Sequence, residues 1–214
     1  MKMSDSFQEK LVGEVAGIES ADLRRTVREV ASAQGARVRL DGREGLNFSS
    51  NDYLGLANHP ALKEAAMSVI EKFGAGSGAA RLISGSQSPH HVLENALADF
   101  KGTEAALAFS SGYAAALGTI PALVGTGDVV VLDKLVHASL VDAAKLSGAK
   151  LRVSKHNDLA DLARILEWAA EQGGRTLVVA ESVYSMDGDL SPLLNLVELK
   201  EQHGAWLMLD EAHA

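Results

Sequence analysis

The stretch GDVVVLDKLVHASLVDAAKLSGAKLRVS, residues 127–154, decides the fold. Two short apolar runs, VVVLD at 129–133 and KLRVS at 150–154, enclose a segment of helical length. The runs are β-branched or Leu-rich rather than alternating, which is the pattern of strands covered on both faces. The same unit recurs outward: AALAF at 105–109, TLVVAES at 176–182 and AWLMLD at 205–210 are further runs separated by helix-like segments. Strands alternating with helices predict an α/β fold, a mainly parallel sheet with crossover helices.

Toward the N-terminus the pattern changes. Residues 6–32 carry apolar positions at helical spacing among charges, which predicts an amphipathic helical region interrupted near Gly17. ARVRLDGREGLNFSS, residues 36–50, alternates around the turn signal Asp41-Gly42 and predicts a short hairpin. Pro60 marks the first turn of a helix with Leu62, Ala65, Ala66, Val69 and Ile70 as its apolar positions. A glycine-rich loop, GAGSGAARLISGS, leads to another predicted helix over 89–100. These features divide the chain into an N-terminal helical arm with a hairpin, 1–57, and a larger domain, 58–214.

Composition excludes several classes. The 214 residues are 47% hydrophobic and 22% charged, as in ordinary globular chains. Twenty Lys and Arg against 28 Asp and Glu give a net charge of -8, which leaves no broad basic face for a nucleic-acid backbone. The absence of Cys removes disulfides, thiolate nucleophiles and Cys-ligated zinc, and suits a reducing compartment. MKMSDSFQEK has no apolar secretory core, and the uncharged stretch 109–127 is broken by Ser110, Ser111, Gly112, Thr119 and Pro121. A cytoplasmic protein without a membrane, nucleic-acid or metal partner is expected.

In a parallel sheet, ligands bind beyond the carboxyl ends of the strands, so those residues carry the chemistry. After the first run, SSGYAAALG places Gly112 where a helix begins, either a plain turn or a phosphate site made of free N–H groups. After the second, His137 stands near a helix start, as a cap, a packed ring or a ligand contact. After the fourth, ESVYSMDGD offers Glu181, Ser185 and Asp187. After the fifth come Asp210 and His213, an N-cap and a solvent-facing ring in the plainest reading. DEAH at 210–213 also matches a helicase box, but no G-x-x-x-x-G-K-[ST] loop precedes it, and the glycines at 74–78 follow a helix rather than a strand. An anionic, planar, heteroaromatic cofactor would use all of these strand ends.

NFSSNDYLGLANHP, GSGAARLISGSQSPHHVLENALADF, SSGYAAALG, HASLVDA, ESVYSMDGD and WLMLDEAHA, in this order, resemble the α-oxoamine synthases. These are pyridoxal 5'-phosphate (PLP) enzymes of the aspartate aminotransferase fold type I, and the resemblance runs from about residue 7 to Ala214. It implies that 58–214 are the PLP-binding large domain, incomplete at the C-terminus. It implies roles as well: Asp210 on the pyridine nitrogen, His213 on the ring's 3'-oxygen with Ser185 nearby, and His137 stacked on the ring and orienting the substrate. Gly112 and Tyr113 would bind the phosphate, Asn51 the substrate carboxylate, and Arg25, or its neighbour Arg24, the acyl substrate. Glu181 would be structural.

The implied reaction is condensation of an amino acid with an acyl thioester and loss of CO2. Similarity to the member of biotin synthesis favours L-alanine with pimeloyl-CoA or a pimeloyl carrier protein. Glycine with acetyl-CoA is the alternative within the family, and a lysine-less non-catalytic partner subunit is the alternative outside it. The family is homodimeric with active sites at the interface. Its Schiff-base lysine lies in a Thr/Ser-containing motif downstream of DEAH, and none of Lys134, Lys145, Lys150, Lys155 or Lys200 occupies such a motif. The expectation is a truncated N-terminal half, inactive alone.

Overall fold

The computed structural model describes residues 3–214, with side chains from residue 6 onward. The chain divides into two compact units, Met1–Gly76 and Ser77–Ala214.

In the first unit, helix α1 (Met3–Ser20) is followed by the antiparallel pair β1 (Arg37–Leu40) and β2 (Arg43–Leu46), and by α2 (Pro60–Phe73). The hairpin forms where expected because Asp41 and Gly42 both adopt positive φ, 49° and 78°, as a two-residue turn between twisted strands requires. The N-terminal helical region, expected over 6–32, ends at Ser20 and runs through Gly17 without a break. Asp22 turns left-handed at φ 54°, and residues 29–31 line up along the hairpin instead, with Ala31 N–H on the Arg39 carbonyl and Val30 bridged to Leu40. Pro60 opens α2, and His59 caps it by accepting the Ala61 N–H.

The second unit begins with a π-helical turn, Arg81–Gly85, and continues through α3 (Ser88–Lys101), α4 (Gly112–Leu123), β3 (Val129–Asp133), α5 (Ala138–Leu146), β4 (Lys150–Ser154), α6 (Leu159–Ala170), β5 (Thr176–Glu181), α7 (Leu193–Gln202) and β6 (Trp206–Asp210). Four runs named from the sequence are strands of one sheet in the order β4-β3-β5-β6, all parallel. The fifth is not. Residues 105–109 form no strand, and Leu107 is 74% exposed. The Ala108 N–H, which a strand would give to a neighbour, goes instead to Glu94 Oε1 at 2.9 Å. Glu94 is a strong acceptor because two hydrogen bonds from Arg81 hold it ionised, its pKa pulled down to about 2 by that guanidinium and by the Ala108 amide.

Alternation along β3 divides the core. Val130 and Leu132, with Leu177 and Val179 of β5, pack on one face against Ala116 and Ile120 of α4 and Leu140 of α5. Val129 and Val131, with Val178 and Ala180, pack on the other against Leu162, Ile165 and Leu166 of α6 and Leu196 of α7. No helix among the described residues is long and apolar enough to cross a membrane.

Leu132 is 1% exposed at the centre of this packing. Leu132→Ala should cost about 2–5 kcal/mol, whereas Leu107→Ala should stay within about 0.5 kcal/mol. Urea unfolding of the two variants checks the contrast.

Candidate functional site

The carboxyl ends of the parallel strands form one edge of the sheet, with Glu181 of β5 in register with Asp210 of β6. Around this edge the elements are tied by hydrogen bonds that also fix the side chains of interest.

Helix α4 packs against α5, the helix that follows β3. Ser111 is its N-cap: the hydroxyl accepts the Ala114 N–H at 3.1 Å, and its carbonyl takes the first intrahelical bond, from Ala115. The amides of Gly112 and Tyr113 come before that bond, among those a helix leaves without an internal acceptor. A Cβ added to Gly112 would meet nothing within 4 Å, so the backbone here is open to a ligand. The Tyr113 hydroxyl lies 3.4 Å from Asp142 Oδ2, which brings this helix start against the first turns of α5.

His137 is the N-cap of α5. Its Nδ1 accepts the Ser139 N–H at 3.2 Å and lies 2.8 Å from the Ser139 hydroxyl. A neutral ring with Nδ1 accepting carries its hydrogen on Nε2, so the exposed imidazole has a fixed plane and a fixed donor. The His137 main-chain N–H donates to Glu181 Oε1 at 2.5 Å. Glu181, 3% exposed, is therefore the strut between β5 and α5.

The β5–α7 connection, 182–191, is a small closed loop. Ser182 N–H and hydroxyl both donate to the Asp210 carbonyl, at 2.9 and 3.2 Å. Val183 bridges Leu190, Tyr184 N–H reaches the Asp189 carbonyl, and Gly188 N–H the Tyr184 carbonyl, with Gly188 at φ 72°. Ser185, Met186 and Asp187 stand exposed at the tip. Beyond β6, Asp210 Oδ1 accepts the Ala212 N–H at 2.9 Å, a local turn that takes the place of the helix cap expected in the plainest reading. Lys101 of α3 pairs with Glu211 at 2.5 Å, and His213 is half-buried.

Gly112, Tyr113, His137, Ser185, Asp210 and His213 thus all belong to the second unit. Arg25 and Asn51 belong to the first. Arg25 is exposed on the segment after α1, where Arg24 pairs with Glu19, and Asn51 is exposed after the hairpin, 3.4 Å from the Tyr53 hydroxyl.

One group was not picked out from the sequence. His156 lies between Asp133 Oδ1, at 2.9 Å from Nδ1, and Asp189 Oδ2, at 2.7 Å from Nε2. Its signal was present: His156 and Asn157 stand just past Lys155 after β4, the second strand of the sheet in sequence, a strand end like those that carry the other residues.

Residues 43–214 match the aminotransferase class I and II family, and the chain belongs to it. It is 54% identical over 204 residues to the 8-amino-7-oxononanoate synthase of Geobacter sulfurreducens, covering 95% of this chain and 52% of that protein. The corresponding enzyme of Geotalea daltonii is 52% identical, over 94% of this chain and 51% of that protein. The chain spans about half the length of the curated relatives it matches. Among solved structures, the serine palmitoyltransferase of Sphingomonas wittichii shares the fold with a TM-score of 0.86 at 32% identity, over 99% of this chain and 53% of that one. A serine palmitoyltransferase from S. paucimobilis bound to PLP and myriocin gives 0.86 at 31% identity, over 99% of this chain and 55% of that one.

Removing the Glu181 carboxylate leaves the His137 N–H without its acceptor. Glu181→Ala should destabilise by about 1–3 kcal/mol, and hydrogen exchange should show the His137 amide losing protection, with Glu181→Gln milder because it keeps an acceptor.

Proposed function

We propose that these residues are the cofactor-binding part of a PLP-dependent acyltransferase that condenses L-alanine with a pimeloyl thioester and releases CO2. The observation that carries the reading is the run of parallel strand ends followed by a capping His137, the closed loop of Ser185, and Asp210 with His213, beside a helix α4 whose start packs against α5. Two findings support it: the Geobacter sulfurreducens relative is named 8-amino-7-oxononanoate synthase, and the S. paucimobilis neighbour holds PLP.

The residues fit such a group. The Gly112 and Tyr113 amides at the open start of α4 bind the phosphate, where the helix dipole favours an anion. The Asp210 carboxylate holds a proton on the ring nitrogen. His213 hydrogen-bonds the ring's 3'-oxygen, with Ser185 beside it. His137, its plane set by the Ser139 amide and its backbone by Glu181, would stack on the ring and orient the amino acid. Asn51 takes the amino-acid carboxylate and Arg25 the acyl substrate. When bound, PLP supplies the electron sink that makes the α-carbon of the amino acid acidic.

The lysines that follow these motifs have other surroundings: Lys150 donates to Gln172 at 2.7 Å, Lys200 lies 3.4 Å from Glu201, and Lys145 sits in the last turn of α5. The reading assigns none of them to the cofactor aldehyde. It assigns the complete enzyme to the cytoplasm and to a homodimer.

Two tests follow. In a PLP titration read by absorbance, Gly112→Glu adds a negative charge at the start of α4, where an added Cβ meets nothing within 4 Å, so binding should be lost. Asp210→Asn should weaken binding roughly ten- to hundredfold, the loss of one charge-assisted hydrogen bond. Unchanged affinity in Gly112→Glu would refute the phosphate site. In a radiolabel assay of CO2 release from alanine and pimeloyl-CoA, the 214-residue chain with added PLP should show no turnover, and sustained turnover would overturn the lysine assignment.

A further inference from the structure

We propose that His156 is a positioning residue: a protonated imidazole clamped between Asp133 and Asp189 that holds loop 182–191, and with it Ser185, at the strand edge. The consequence for the cofactor rests on the role given to Ser185 above.

The clamp joins three strand ends. Asp133 closes β3, His156 and Asn157 follow β4, and Asp189 lies in the connection after β5. Both ring nitrogens face carboxylate oxygens, at 2.9 Å for Asp133 and 2.7 Å for Asp189. An ionised carboxylate only accepts, so the arrangement is satisfied when both nitrogens donate, which makes the ring an imidazolium.

Asp133 is already committed as an acceptor. It is 8% exposed, and besides His156 it takes the Leu135 N–H at 2.8 Å and the Asn157 N–H at 3.0 Å. Asn157 reinforces the far side: its amide donates to Asp189 Oδ2 at 2.8 Å and to the Leu190 carbonyl at 3.2 Å. Asn157 adopts φ 51°, a left-handed conformation that asparagine takes more readily than other side-chain residues and that those bonds fix here. Beneath them the Tyr184 ring, 1% exposed, meets the imidazole edge-on at 4.5 Å.

Tyr184, buried in the core beside Asp133, holds the loop from below. The loop's base is fixed by Ser182 on Asp210, and its return strand is fixed by Asp189 on His156 and Asn157. Ser185 stands between the two attachments.

The charged and titratable groups around the ring give the pH dependence its sign. Asp133 comes from β3, Asp189, Tyr184 and Glu181 from β5 and its loop, Lys155 and Asp158 from the segment of His156, and Asp161 from α6, its carboxylate accepting the Lys155 N–H at 3.0 Å. Burial lowers the His156 pKa, but the hydrogen bonds and charges of Asp133 and Asp189 outweigh it and the pKa is raised. Burial first, then Asp133, raise that of Tyr184, which stays neutral. A raised histidine pKa means the clamp is fully present below the ordinary histidine range and is lost as pH rises through the raised value.

The experiment is hydrogen exchange on the chain, parent against His156→Gln and Asp189→Asn, with the imidazole of the parent followed by 15N NMR. The parent should show both His156 nitrogens protonated at neutral pH. Both variants should exchange the Tyr184, Gly188 and Ser191 amides at least about tenfold faster, with Val130, Leu132 and Val179 unchanged. Raising the pH of the parent should have the same local effect, with PLP affinity falling in step. A neutral imidazole at pH 7, unchanged loop exchange, or acceleration in Asp189→Asn that extends equally to the β3 and β5 amides would overturn the proposal. If the loop loosens as expected while neither parent nor variant binds PLP, the clamp stands and the proposed function fails.

Discussion

A strand buried on both faces must give every backbone N–H and C=O to its neighbours, and β3 is under that constraint along its whole length. All five of its residues are buried, so it is paired on one side with β4 and on the other with β5. Parallel pairing then requires a helix to return the chain after each strand, and each return leaves the next strand pointing the same way. One edge of the sheet is a consequence: Asp133, Ser154, Glu181 and Asp210 end their strands at the same side because all four strands run parallel.

What stands on that edge is held by capping and by short side-chain bonds rather than by packing. Ser111 and His137 each accept one amide in the first turn of their helices, from Ala114 and Ser139, and leave the Gly112 and Tyr113 amides without an internal acceptor and the His137 imidazole oriented. Glu181 and Asp133 are buried carboxylates whose acceptors are taken up by main-chain N–H groups of neighbouring segments. Desolvating such groups is costly unless they are hydrogen-bonded, so each one fixes a loop position as firmly as an apolar contact would.

The parallel sheet was legible because Val129–Leu132 and Leu177–Ala180 are unbroken apolar runs, and a run of that kind has few alternatives. That Asp210 closes a strand was legible for the same reason. Residues 105–109 misled because AALAF is apolar without being paired: its Ala108 amide is taken by Glu94, fourteen residues away in a helix, and no local pattern records that bond. The N-terminal helix was drawn too long because residues 29–31 have helical spacing yet gain more from bridging β1. The Asp133–His156–Asp189 cluster joins residues 33 and 23 positions apart, so its members could be suspected at strand ends but their contact could not be read from order alone.

The central claim is that this edge binds the phosphate and ring of PLP through residues of the chain itself. A crystal structure of the chain grown with PLP tests it most directly. The phosphate is predicted on the amides of Gly112 and Tyr113, with the Asp210 carboxylate in hydrogen-bond contact with the ring nitrogen and the His137 imidazole against the ring face. A ring bound elsewhere, or a phosphate held away from the start of α4, would contradict it.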